Sequence, residues 1–106
     1  MRIDAIGYIR SDISGVHQQA HEERLRSHAK GNGYNLRKII VFGPWTDDPE
    51  RRLAMVLDRM DEVAAVLVPC VRHFAGDAVP FTIARRAEVV IVTAPAEPLR
   101  LSQANR

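Results

Sequence analysis

Four short apolar runs alternate along the chain with longer segments whose apolar residues recur at helical spacing. Ile3–Ile9 is rich in β-branched residues and reads as a first strand, with Gly7 allowing a close approach of a neighbour. Arg10–Gly15 reads as a polar loop. Val16 to Lys30 reads as a helix stopped by Gly31 and Gly33; its apolar face is thin, Leu25 and Ala29, and Gln18 and His21 share that side. Leu36–Phe42 reads as a second strand ended by Gly43 and Pro44. A strong helix start follows: Asp48 can cap, Pro49 suits the first turn, and Glu50 suits the positive end of the dipole. Leu53, Val56, Leu57 and Met60 then recur at the i, i+3, i+4, i+7 spacing of a buried stripe. Ala64–Val68 is continuously apolar, as expected of a strand inside a parallel sheet. Pro69–Gly76 reads as a loop. Asp77–Arg86 holds a short helix that Pro80 confines to the segment after Val79. Glu88–Thr93 reads as a fourth strand.

The order βαβαβαβ implies right-handed crossovers and an α/β fold: a three-layer sandwich around a mostly parallel four-stranded sheet, flavodoxin-like in outline. The expected strand order is 2-1-3-4, with the first strand central. One domain over 1–94 is expected, followed by a polar tail over 95–106 in which Pro95 and Pro98 argue against further strand. Ligands of such sheets collect at the carboxyl ends of the strands. That rule selects Arg10–Gly15, Phe42–Asp48 and Pro69–Gly76.

At 106 residues the chain is one domain's worth, long enough to bury a core without disulfides. Cys70 is the single cysteine, which excludes an intramolecular disulfide and a multi-cysteine zinc site. No apolar run approaches the length of a membrane span, and the first residues lack a secretory apolar region, so a cytoplasmic protein of prokaryotic style with no membrane partner is expected. The net charge of +2 permits nucleic acid as a partner without implying it, because the fifteen cations are interleaved with thirteen acids.

The opening Gly7-Tyr8-Ile9-Arg10-Ser11-Asp12, the helix carrying Gln18, Gln19, His21 and Leu25, and its close at Gly33-Tyr34 resemble the N-terminal catalytic domain of the serine recombinases, the resolvase/invertase family. That family opens G-Y-x-R-V-S. Val66-Leu67-Val68-Pro69-Cys70-Val71-Arg72-His73-Phe74 is similar to its third strand and D-R-L-x-R loop, and Arg51 or Arg52 stands at its R-P-x-L helix start. The resemblance spans about residues 4–93. It implies a DNA-recombining ancestry and a site built from Tyr8, Arg10, Asp12, His21, Arg52, Arg72 and His73.

The departures from that pattern matter as much as the match. The family attacks a DNA phosphate with a serine hydroxyl, and the matching position here is Asp12. Ser11 faces the other way if strand alternation persists, and Ser14 falls two residues late. The loop's aspartate and two arginines become Arg72, His73 and Gly76, and the helix glutamine becomes His21. A neutral imidazole is a poor substitute for a forked, permanently charged guanidinium. Nucleophile and cation cage have changed together. The expected tail is also too short for the oligomerisation helix and DNA-binding domain that follow the family's catalytic domain.

Other chemistries have blander counterparts. His17 and His21, at i and i+4, could hold zinc, but a solvated helix face explains them and His28. Asp12, Asp47 and Asp48 could hold Mg²⁺, but capping alone explains Asp48. Cys70 beside Arg72 and His73 could be a reactive thiol or a small apolar filler. Tyr8 and Arg10 read equally as a phosphate-binding remnant or as a packed ring with an Arg10–Asp12 pair. Trp45 reads as a contact surface or a lid on the sheet edge. The expectation is a degenerate recombinase-like domain without strand transfer or cofactor, an interaction or ligand-binding module for a protein partner or a second copy, with weak or no DNA binding. The alternatives are an active resolvase-type recombinase using an unrecognised nucleophile, and a small nucleotide- or phosphate-binding protein.

Overall fold

A computed structural model describes residues 2–93; the tail expected over 95–106 lies outside the described residues. Four parallel strands form one sheet in the order β2-β1-β3-β4. They are β1 (Ile3–Arg10), β2 (Tyr34–Phe42), β3 (Ala65–Val68) and β4 (Glu88–Ile91). The helices are α1 (Ser11–Ser14), α2 (Gln18–Gly31), α3 (Pro49–Arg59) and α4 (Phe81–Ala84). The α/β class and the strand order are as the alternating pattern predicts.

The sheet is covered on both faces. Against one face α3 seats Leu53 and Leu57 on Ile6, Tyr8, Val66 and Val68, with Phe74 and Ile83 completing the cluster. Against the other, α2 contributes only Leu25 and Ala29 to a cluster with Ala5, Ile9, Ala65, Leu67 and Val92. Gly7 is required here: a Cβ at this position would lie 3.0 Å from both the Leu25 and the Ile39 side chains. All four residues of β3 are buried, which explains its unbroken apolar run.

The second strand carries a bulge. Ala5 aligns with Leu36 but Ile6 with Lys38, so Arg37 is the extra residue. Its guanidinium reaches Asp4 at 3.1 Å and Glu62 at 2.7 Å. The start of α3 follows its sequence signals: Asp48 adopts φ 50° and its carboxylate accepts from the Arg51 N–H at 3.3 Å.

Several boundaries differ from the sequence reading. Arg10–Gly15 is not a loop throughout, because Ser11–Ser14 closes one helical turn and Gly15–His17 a 3₁₀ turn before α2 begins. β2 starts two residues earlier, at Tyr34, where pairing with Ile3 overrides the polar Asn35. β3 starts at Ala65, not Ala64. β4 stops at Ile91, and α4 is a single turn after Pro80. Val56 and Met60 are half-buried at the flank of the stripe instead of inside it.

Candidate functional site

The carboxyl end of β1 and the segment after β3 meet in one cluster of packed side chains. Tyr8 and Arg10 project from the same side of β1 because strand side chains alternate. Tyr8 is fully buried, stacks on Phe74 with ring centroids 5.1 Å apart, and donates from its hydroxyl to the His73 carbonyl at 3.1 Å. Burial and the nearby Glu50 carboxylate push its phenol further above its ordinary value, so Tyr8 stays protonated. Glu50, at the start of α3, also accepts from the Ala75 N–H at 2.5 Å. The segment Val71–Asp77, two 3₁₀ turns in place of a plain loop, is thus tied to both β1 and α3.

His73 is fully buried. The Arg10 backbone N–H donates to its Nδ1 at 2.9 Å, so the imidazole proton sits on Nε2. Burial first, then the neighbouring His21 and Arg10, pushes its pKa down to about 4. It is a neutral ring at physiological pH. Its Nε2 has no hydrogen-bond partner, and neither has the buried Nε of Arg10.

Strand alternation stops at Arg10, yet Asp12 still reaches back from α1. Its Oδ2 accepts from Arg10 Nη2 at 2.7 Å. The turn of α1 also brings Ser14 inward. Ser14 is buried, and its hydroxyl lies 2.7 Å from His21 Nδ1. The His21 ring stands edge-on to His73 with centroids 6.1 Å apart. Burial, Arg24 and His17 lower the His21 pKa, keeping that ring neutral as well.

Tyr8, Arg10, Asp12, His21 and His73 therefore share one cluster. Arg72, next to His73, is exposed and has no ion pair among the described residues. Arg52 is not drawn in: it is exposed on α3, where its Nε donates to the Asp47 carbonyl at 2.9 Å. The Ser14–His21 pair is the feature that sequence reasoning missed. Its signal, a spacing of two helical turns, is hidden when Arg10–Gly15 is read as a loop.

The other candidate groupings do not converge. His17 lies near His21, ring centroids 6.2 Å apart, but His28 packs on Tyr34. Among the described residues no three His, Cys, Asp or Glu side chains gather around a common point. Cys70 is a half-buried free thiol, and Trp45 is 85% exposed. No helix among the described residues is long and apolar enough to cross a membrane.

No protein-family model matches the chain, and no curated protein matches it. The chemistry of the cluster must therefore be read from its own groups. They offer a half-buried hydroxyl–imidazole pair, a neutral buried imidazole, and an arginine whose charge is met by the adjacent carboxylate. What they do not offer is a set of free cations converging on an open nucleophile.

Proposed function

We propose that the protein is a serine-recombinase-like domain without strand-transfer activity that works by binding a partner, in a cytoplasmic, bacterial setting. The observation that carries this reading is the Arg10–Asp12 pair at 2.7 Å. Where the resemblance expects a nucleophilic serine beside a phosphate-binding arginine, a carboxylate holds that arginine instead. Phosphoryl transfer depends on positioned positive charge around the phosphate. His73 supplies none in its neutral form, and Gly76 has no side chain. A phosphoryl adduct on Asp12 would be a labile acyl phosphate, unsuited to holding a strand break.

The test is incubation with supercoiled plasmid under a denaturing quench. Neither the wild-type protein nor Asp12→Ser is expected to trap a covalent DNA adduct. A wild-type adduct that disappears on Ser14→Ala or Ser11→Ala would overturn the reading and install an active recombinase with an unrecognised nucleophile.

A second reading, binding of a small phosphate or nucleotide, draws on a different observation. Two buried donors, Arg10 Nε and His73 Nε2, lack acceptors. An unsatisfied buried donor costs about 1–3 kcal/mol, and a phosphate oxygen would relieve it. Titration with inorganic phosphate, followed through the ¹⁵N signals of the His73 ring, tests this. Unmoved ring signals at millimolar phosphate would eliminate it.

A further inference from the structure

We propose that the edge built by β2 and α3 docks an extended acidic segment of another protein, one presenting an apolar side chain between two carboxylates. This rests on the interaction reading above and names the surface and the chemistry of the partner.

β2 is an edge strand, paired only with β1. Beyond the bulge at Arg37, the stretch Lys38–Phe42 pairs in unbroken register with Ile6–Arg10, and its outer side has no partner among the described residues. Natural edges are usually blunted by proline, bulges or inward charge. Lys-Ile-Ile-Val-Phe carries one lysine at its beginning and no proline, and Val41 is 39% exposed. Beside this edge lies a groove of about 230 Å³ lined by Phe42, Arg52, Met55, Val56 and Arg59. Met55, on the outward face of α3, is 48% exposed.

Charge decides the occupant. Arg52, Met55, Val56 and Arg59 recur at helical spacing, which puts an apolar floor between two guanidiniums. Lys38, Arg52 and Arg59 take part in no ion pair among the described residues. Asp47 and Asp48 lie beyond Arg52, where Asp48 serves as the helix cap. A second copy fits poorly: a two-fold contact would set these arginines against their own images. An acidic partner complements them. From Arg52 to Arg59 the helix rises about 10 Å, and residues i and i+4 of a strand lie about 13 Å apart. The flexible arginine side chains absorb the difference. A strand reading acid-x-apolar-x-acid would then seat its apolar residue on Met55 while its main chain extends the sheet, a known mode of peptide capture.

The test uses the full chain and a fluorescein-labelled, capped peptide, Thr-Glu-Thr-Leu-Thr-Glu-Thr, with a control in which both glutamates are lysines. Fluorescence anisotropy is expected to show saturable binding of the acidic peptide alone. Amide shifts in ¹⁵N–¹H spectra should be confined to Lys38–Phe42 and α3. Met55→Asp, and separately Arg52→Glu with Arg59→Glu, should weaken binding at least about tenfold with unchanged circular dichroism. The proposal is overturned by no binding, by equal binding of the two peptides, by shifts centred on the Tyr8–His73 cluster, or by a dimer in sedimentation that Met55→Asp dissociates. None of these outcomes touches the plasmid assay. A DNA adduct would overturn the interaction reading whatever the peptides do.

Discussion

Replacing His73 with asparagine should flatten the acid side of the stability profile. The buried ring titrates near 4 in the folded protein against 6.5 for an ordinary imidazole. Between those values the unfolded chain binds a proton that the folded chain refuses, so stability falls as pH falls. The contribution is complete above about pH 6.5 and declines by roughly 1.4 kcal/mol per pH unit below it. From pH 7.5 to 5 the loss attributable to His73 is about 2 kcal/mol, and by pH 4 about 3 kcal/mol. Asparagine suits the comparison because its Oδ1 can still accept from the Arg10 N–H while nothing on it titrates. The smaller side chain leaves a void and lowers stability at every pH, so the slope is the readout and not the absolute value. Urea unfolding at half-unit steps from pH 7.5 to 4 measures it in both proteins. His21, whose pKa is also lowered by burial, titrates in both and cancels in the difference. Superimposable slopes for wild type and His73→Asn would refute the picture of a buried neutral ring held by Arg10.

Substitutions at three further positions have defined outcomes. Leu57→Ala, at a position 5% exposed in the larger core cluster, should cost about 2–5 kcal/mol in urea unfolding. Asp48→Ala should cost about 1 kcal/mol or more, since it loses the cap and keeps the left-handed backbone, whereas Asp48→Gly should lose only a few tenths. In Gly43→Ala the new Cβ would fall 2.7 Å from the Trp45 ring, which is free to swing into solvent. Stability should change by less than about 0.5 kcal/mol while the emission of this single tryptophan shifts.

The fold was legible wherever burial dictates residue type. Leu53 and Leu57, the unbroken Ala65–Val68 and the Asp48-Pro49 start are each forced by one physical requirement, and a parallel order with β1 central follows from their alternation. What could not be read were the places where tertiary pairing overrides local preference. Tyr34 and Asn35 are strand because Ile3 and Asp4 lie beside them. Ser11–Ser14 is a helical turn whose one apolar residue is Ile13, too short for any period to register. That turn also decides the cluster: it carries Asp12 back onto Arg10 and Ser14 onto His21, contacts that strand alternation alone could not supply. The burial of His73 was hidden for a similar reason, since its place under β1 depends on a 3₁₀ turn between two non-repetitive segments.

The two helical layers are fastened unequally. α3 is clamped by leucines, a capped start and Glu50, while α2 buries only Leu25 and Ala29 against the sheet. Cooperative units of low local stability open well below the global unfolding free energy. In native-state hydrogen exchange, the amides of α2 should therefore exchange through a sub-global opening that leaves β1 and β3 protected. His21 travels with that layer, and Ser14 with the turn before it. The hydroxyl–imidazole pair, its hydroxyl buried and its imidazole half-buried in the ground state, would be fully uncovered each time α2 lifts, so full access to this pair is set by a local equilibrium and not by the closed packing alone.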